Sequence, residues 1–386
     1  MNKENQEADM KNGKLKIALA GLGFGGAFAE IYKCHPLVGE IRVFDPDRAK
    51  EKWFRDNLGI EAGYGSFEDI LSDGTVDAVH LVTPIPLHGA QSAAVLDSGK
   101  HCACTVPMGV TLEELRLITE AKRRSGKNYM MMETTLYTYQ FMYVQKMLAS
   151  GELGRIQFMK GTHYQDMENW PRYWDGLPPM HYGTHAIAPM VALSGSRIAR
   201  VHAFGSGTMR EELVRNYGNP FPVETAIFAF ENGLKGEATR SLFETARMYQ
   251  EGMFVFGSKK SFEWGFTDNS DPIITTLQPR TEHRGCDTTM ETVKMPNDYS
   301  DLPEELWRFT VGSNYDPLRP QESLKEGAGA GHHGSHSHLV NEFVMSIAEG
   351  RKPRIDEVLG ANITAAGICA HLSALRDGAE VTVPVF

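Results

Sequence analysis

At 386 residues, with 41% apolar and 23% charged side chains, the chain is long enough for two domains with substantial cores and is neither disordered nor fibrous. Its formal net charge of -10 and pI near 5.8 exclude nucleic acid or an anionic membrane as the main partner, since both need a basic surface to displace counterions. A small, weakly charged molecule fits better. The five cysteines (Cys34, Cys102, Cys104, Cys286 and Cys369) are scattered and lack CxxC spacing, which argues against disulfides and structural zinc and for a reducing cytoplasm. The polar residues 1–14 read as a disordered tail, and no run reaches the ~20 apolar residues of a membrane span.

The first half alternates strand and helix signals, as a parallel sheet requires. Residues 15–20 read as an apolar strand and 27–33 as a helix; 41–44 form a second strand ending at Asp45, with a helix through Arg55. Ser66-Phe67-Glu68-Asp69 has the Ser-x-x-acid spacing of a helix start, and Thr111-Leu112-Glu113-Glu114 repeats the signal. Strands are expected at 78–82, 101–105 and 129–133, with a helix over 88–96. After a helix near 143–150 come strand-like segments at 155–164, 200–204, 224–231, 236–242, 253–256 and 261–264, the pattern of an open, largely antiparallel sheet. Two helices near 339–349 and 358–376 and a strand at 381–385 complete the chain. The expected class is α/β, with a doubly wound parallel sheet over 15–135 and an α/β domain with the antiparallel sheet over 136–386.

Gly21, Gly23 and Gly26, with Phe24 and Gly25 among them, have G-x-G-x-x-G spacing directly after a strand and before a helix. A tight turn there brings backbone amides and the helix dipole onto a pyrophosphate, the signature of a Rossmann domain. Asp45, 24 residues after Gly21, stands where a carboxylate accepts the adenosine ribose hydroxyls. Asp47 adds a second negative charge that Arg48 only partly offsets, so NAD is expected over NADP.

The second half is rich in aromatic and imidazole groups. His163-Tyr164 ends a strand, and the segment from Trp170 to His185 carries Arg172, Tyr173, Trp174, His181 and Tyr182. Ring faces with interleaved hydrogen-bonding groups suit a sugar, whose C–H faces stack while its hydroxyls need partners. Cys102 and Cys104 share one face of a strand and read as small core residues. His332, His333, His336 and His338 invite a metal reading, but no cysteine or carboxylate stands nearby as a further ligand. No metal is expected, and His332 is assigned to the sugar pocket.

Thr83-Pro84 with His88, the Thr105-Val106-Pro107 tripeptide and the glycine loop together resemble the Gfo/Idh/MocA family of nicotinamide-dependent sugar oxidoreductases. The resemblance implies that Thr83, Pro84, His88, Thr105, Val106 and Pro107 line the nicotinamide side. The family's usual text at the tripeptide is Glu-Lys-Pro, whose lysine helps move the proton of the oxidised hydroxyl; Val106 removes that ammonium. The usual Asp-x-x-x-His of a later helix opening is His181-Tyr182-Gly183-Thr184-His185, so the histidine is kept and the aspartate lost. These departures resemble the family's NAD-dependent glycosidases of the α-N-acetylgalactosaminidase type, through Val106-Pro107, Met132-Glu133, Tyr182-Gly183-Thr184-His185 and Gly331-His332-His333-Gly334. A tyrosine which that branch carries just after the sheet is His163 here, with Tyr164 next to it.

That branch implies a redox-assisted elimination. A hydride leaves C3 of the glycoside for NAD, the ketone acidifies the C2 proton, a base removes it, and the leaving group departs from C1; water adds and the hydride returns. No carboxylate pair at glycosidase spacing is required. By resemblance His185 takes the C3 hydroxyl proton, Tyr182 or His163/Tyr164 is the base at C2, and Glu133 orients the nicotinamide or a substrate hydroxyl. The substrate would be a small glycoside or sugar, and the family's habit of pairing open sheets implies a homodimer or homotetramer. Two other readings stand beside this one: an NAD-dependent sugar or polyol dehydrogenase working through His185 without a lysine, and a non-catalytic NAD-binding regulatory protein.

Overall fold

The computed structural model describes residues 13–311, apart from 266, 268 and 269, and residues 331–386. The tail expected over 1–14 lies outside the described residues as far as residue 12. The chain divides into two compact units that are each discontinuous in sequence, Met1–Tyr137 with Asn297–Ala361, and Thr138–Pro296 with Asn362–Phe386. The division expected from sequence has one boundary, at 135, with 136–386 together. Residues 297–361 instead return to the first unit, where His336 packs its ring 4.7 Å from that of Phe28.

In the first unit, strands β1 (Leu15–Ala20), β2 (Val38–Phe44), β3 (Ala62–Gly63), β4 (Ala78–Leu81), β5 (His101–Thr105) and β6 (Tyr129–Met132) form one sheet in the order β3-β2-β1-β4-β5-β6. Every pairing is parallel. β4 and β6 are buried at every position and β5 at all but its first, as expected of strands covered on both faces. Helices α1 (Gly26–Cys34), α2 (Arg48–Leu58), α3 (Phe67–Ser72), α4 (His88–Asp97) and α5 (Leu112–Ser125) supply the crossovers. Their ends follow side-chain chemistry. The Ser66 hydroxyl accepts the Asp69 amide, Thr111 and Glu114 form a reciprocal capping box, and left-handed Gly59 and Gly126 stop α2 and α5. The strand order reverses between β1 and β4, which places the glycine loop and the Thr83-Pro84 segment at the switch point of the sheet.

In the second unit, α6 (Tyr139–Ala149) precedes β7 (Ile156–Tyr164), α7 (Thr184–Ser194), β8 (Ile198–Ser206), α8 (Glu211–Tyr217), β9 (Val223–Phe230), β10 (Lys235–Ser241), β11 (Gln250–Gly257), β12 (Lys260–Trp264), β13 (Ile273–Leu277) and β14 (Thr288–Thr292). Helix α9 (Arg308–Val311) and helix α10 (Ser335–Ala348) belong to the first unit; most of α11 (Glu357–Ala374) and the short β15 (Val381–Thr382) belong to the second. The nine-stranded sheet runs β14-β13-β12-β11-β7-β10-β9-β8-β15, antiparallel except where β7 meets β10. β13, β14 and α8 were not expected. The β14 text Thr-Thr-Met-Glu-Thr is exposed at every position, so it carries no inward apolar alternation to betray a strand.

Helix α7 crosses β7 at a glycine. A Cβ on Gly161 would run into the Ala186 carbonyl, so only a residue without a side chain lets the helix that carries His185 lie this close to the sheet. Gly161→Ala is expected to cost about 1–3 kcal/mol by overpacking. The check is the urea midpoint, which falls below wild type; an unchanged midpoint contradicts this packing.

Candidate active site

The glycines of the first unit occupy places a side chain could not. Gly21 has φ +93°, and a Cβ there would meet the Val82 carbonyl just past β4; a Cβ on Gly25 would meet the Gly21 carbonyl. A Cβ on Gly23 would meet nothing within 4 Å, so the loop is open on that side. Helix α1 begins at Gly26 with no side-chain cap and no acid in its first turn, which leaves the positive end of its dipole to an outside anion. These features fit a dinucleotide pyrophosphate.

Asp45, buried at the end of β2, fits the ribose. Its Oδ2 accepts the Leu22 amide at 2.8 Å and its Oδ1 the Asp47 amide at 2.9 Å, which fixes the carboxylate against the glycine loop while each oxygen keeps capacity for a further donor. The second acid acts differently from the sequence reading. Asp47 caps α2 by accepting the Ala49 and Lys50 amides at 3.0 and 3.2 Å, and Arg48 turns to Glu51 and to the carbonyls of Tyr64 and Gly65. The cation beside Asp45 is Lys50, with Nζ 3.7 Å from Oδ2.

On the nicotinamide-side loops, the Thr83 hydroxyl donates to Gln91 Oε1 at 2.6 Å, Pro84 is exposed, and the Thr105 hydroxyl donates to the Leu81 carbonyl at 3.3 Å. Val106 is buried and its bond to Pro107 is cis. His88 ties these loops together. Its Nδ1 lies 2.8 Å from the Pro107 carbonyl and its Nε2 2.8 Å from the Thr83 carbonyl. Carbonyl oxygens only accept, so both ring nitrogens must carry protons and His88 is an imidazolium. Burial opposes that charge, but Cys104 and the two carbonyls outweigh it and raise the group to about 9.

Glu133 is wholly buried just after β6, its Oε1 accepting the amide and hydroxyl of Thr135 at 3.1 and 2.9 Å. His332, expected in the sugar pocket, lies in this first unit with its ring edge-on to Phe24 of the glycine loop at 5.9 Å, and His336 meets Phe24 at 5.4 Å. Among the described residues no three or more His, Cys, Asp or Glu side chains are grouped to hold a metal.

In the second unit, His163, Tyr182 and His185 come together. The ring of His163 is 4.9 Å from that of His185 and 6.3 Å from that of Tyr182, and Tyr182 meets His185 edge-on at 5.4 Å. Trp174 closes on Tyr182 edge-on at 4.9 Å, with Tyr173 at 5.8 Å from Trp174. Tyr164 does not join them. Strand alternation sends it to the opposite face, where Arg247 lies 5.4 Å from its ring. Arg172 is exposed, and His181 meets the ring of His371 at 5.0 Å, burial pushing His181 down to about 3 so that it stays neutral. His371 in turn lies 2.6 Å from Glu224, whose other oxygen accepts the Met180 amide at 2.8 Å.

Arg240, Glu251 and Tyr249 of this site were missed in sequence. Arg240 on β10, His163 on β7 and Glu251 on β11 stand directly opposite one another across three strands, and Tyr249 donates its hydroxyl to Glu251 at 2.5 Å while its ring lies 5.4 Å from His163. The available signal was parity. Arg240 shares the inward face of β10 with Gly236 and Ala238, a position where a charge needs a reason.

Asp45→Asn removes the charge that opposes a 2'-phosphate and leaves Lys50 in place. It should weaken NAD and narrow the NAD-to-NADP ratio of dissociation constants by about tenfold or more, since one close like charge is worth at least ~1.4 kcal/mol. Equal binding of both dinucleotides by the wild type contradicts this reading of the strand end. For His88 the folded value lies above the unfolded 6.5, so its contribution is complete below pH 6.5 and lost as pH rises through about 9. Wild-type stability is expected to fall by on the order of 3 kcal/mol over that window relative to His88→Gln. Parallel denaturation profiles of the two proteins would show that His88 is uncharged.

Residues 15–133 match the model of the oxidoreductase family with NAD-binding Rossmann fold, and residues 141–263 match the GFO/IDH/MocA C-terminal domain. A glycosyl hydrolase family 109 protein of Saccharopolyspora erythraea is 26% identical over 344 residues, 84% of this chain and 71% of that protein. A second protein of that name, from Porphyromonas gingivalis, is 26% identical over 46% of this chain and 42% of its own length. A 1-carboxy-3-chloro-3,4-dihydroxycyclohexa-1,5-diene dehydrogenase of Comamonas testosteroni is 22% identical over 52% of this chain and 51% of its own length. The fold matches that of a levoglucosan dehydrogenase in complex with NADH and levoglucosan, with TM-score 0.75 and 20% identity over 96% of this chain and 99% of that one. The two family models together match more than half of the chain, and the protein belongs to the Gfo/Idh/MocA family, with that family's NAD-binding Rossmann domain and its C-terminal domain.

Proposed function

We propose that the protein is an NAD-dependent glycoside hydrolase that cleaves a small glycoside by transient oxidation at C3, elimination of the aglycone, addition of water and re-reduction. The observation that carries this reading is Val106, a buried alkyl side chain where an ordinary dehydrogenase of the family has its ammonium. The grouping of His163, Tyr182 and His185 supports it, because an elimination needs two proton acceptors, one at the C3 hydroxyl and one at C2. The relatives named glycosyl hydrolase family 109 point the same way.

NAD, when bound, supplies the hydride sink that makes C3 a carbonyl and gives the hydride back at the end of the cycle. His185 accepts the C3 hydroxyl proton. Once C3 is a carbonyl, Tyr182 accepts the C2 proton; the C2–H pair becomes the C1–C2 double bond as the aglycone leaves C1. Tyr182 is preferred to His163 because it is half-buried where His163 is almost wholly enclosed, and to Tyr164 because that ring faces the other side of the sheet. Trp174 and Tyr173 offer ring faces to the sugar, and Glu133 orients the nicotinamide or a hydroxyl.

The face of the nine-stranded sheet away from α7 carries Phe204, Ile227 and the stacked pair Phe158–Phe256, which supports burial against a second copy as a homodimer or homotetramer. Among the described residues no helix is long and apolar enough to cross a membrane. The five free cysteines support a cytoplasmic setting.

An aryl glycoside should be cleaved many times per enzyme without added NAD and without build-up of NADH. In heavy water the released sugar should carry deuterium at C2, which direct displacement at C1 does not produce, and His185→Ala should abolish both cleavage and exchange. NADH appearing in step with product makes the protein a sugar dehydrogenase, and cleavage without deuterium at C2 overturns the elimination.

A further inference from the structure

The substrate unit holds a buried cation that the proposed reaction leaves unused. Arg240 is 0% exposed. Its Nε donates to the Tyr182 carbonyl at 3.0 Å, one terminal nitrogen to the carbonyls of His163 and Ser241 at 3.1 and 2.8 Å, and the other to Gln165 Oε1 at 3.0 Å. All of these acceptors are neutral. Among the described residues no carboxylate comes within ion-pair distance of the guanidinium. Glu224 stands directly across from it on β9, but its oxygens hold His371 and the Met180 amide. The carboxylate that does act on it is Glu251, beyond ion-pair distance on β11 across β7. A desolvated charge held apart from its counter-charge is costly, so its retention calls for a chemical role.

The guanidinium carbon lies 5.2 Å from the centroid of the Tyr182 ring. Tyr182 is therefore held at its backbone by the same group that places a fixed positive charge beside its ring. We propose that Arg240 is a positioning residue that stabilises the phenolate of Tyr182 and so makes this tyrosine the proton acceptor at the substrate. The inference rests on the assignment of Tyr182 as the base at C2. In that step the C2–H bond breaks, the phenolate oxygen gains the proton and becomes a phenol, and the C–H electron pair passes to the substrate. Opposite charges within this distance favour each other's ionised forms, and the low dielectric of the interior strengthens the effect.

The other titratable groups facing Tyr182 are His185 on α7 and His163 on β7. Glu251, whose charge would oppose a phenolate, stands on β11, across β7 from Arg240, and takes the Tyr249 hydroxyl. Arg240 itself is enclosed and its donors are engaged, so it acts through Tyr182 and does not reach the substrate.

The test is a pH titration of tyrosine in the full-length protein with its NAD, by ultraviolet difference absorbance or by NMR of ring-labelled tyrosine, without any glycoside. Wild type is expected to show one tyrosine titrating clearly below the ordinary value of about 10. Tyr182→Phe should remove that transition, Arg240→Gln should return it to the ordinary range or above, and Arg240→Lys, which keeps the charge, should restore much of the depression. If wild type and Tyr182→Phe show no difference below the ordinary range, the inference is overturned, whatever the Arg240 variants do. If Arg240→Gln leaves the low transition in place, Arg240 is structural only and the inference is again overturned. Because no substrate is present, a low Tyr182 transition in a protein that cleaves no glycoside supports the inference while the hydrolase reading fails. Cleavage with an ordinary Tyr182 does the reverse.

Discussion

The arrangement of the second unit depends on one buried guanidinium. Arg240 gathers the carbonyls of Tyr182, His163 and Ser241 and the side chain of Gln165, so the end of β7, the end of β10 and the turn before α7 are tied at a single point. Backbone carbonyls at strand ends and turns need partners when buried, and a planar donor with five N–H groups can serve several at once where a lysine or a neutral amide could not. Glu224 does the complementary work on the same turn by accepting the Met180 amide. Between them, a cation and an anion fix the 3-10 turn Pro179–Tyr182 from its two ends.

The nucleotide unit uses the same economy with a different pair of groups. The Asp45 carboxylate links the end of β2 to the glycine loop, and the His88 imidazolium links the Thr83 loop to the Pro107 loop. Each is a charge spent on backbone groups of loops that a ligand must find already in place. Pre-arranging these loops reduces the ordering cost of binding a dinucleotide.

Much of this was legible in sequence, and the reason is locality. The glycine loop, the Ser66 and Thr111 helix starts and the alternation of strand and helix are decided by residues within a few positions of each other, and the structure has them where those residues put them. What escaped depends on residues far apart. The return of 297–361 to the first unit rests on contacts such as Phe28 with His336, and no composition change marks it. The same distance hid the row Arg240–His163–Glu251, which exists only because β10 and β11 flank β7. The ring contact between His332 and Phe24 of the glycine loop likewise joins residues far apart in sequence.

Val106 gains its meaning from the groups around it in its own unit. His88 touches the carbonyl of the next residue, Pro107, but both of its N–H groups are engaged by carbonyls and the ring is enclosed, so its proton is structural. An alkyl side chain at 106 therefore leaves this stretch of loop with a fixed charge and no exchangeable proton. Glu133, buried and bonded to Thr135, is held as an acceptor. A sugar hydroxyl cannot be oxidised without somewhere for its proton to go, and under the proposed function that acceptor is His185 of the second unit, whose ring is grouped with those of Tyr182 and His163. Under the proposed function the absent ammonium and the imidazole–phenol group go together: hydride chemistry would stay with the NAD-binding domain, and acid–base chemistry would fall to residues that can serve a second proton as well as the first.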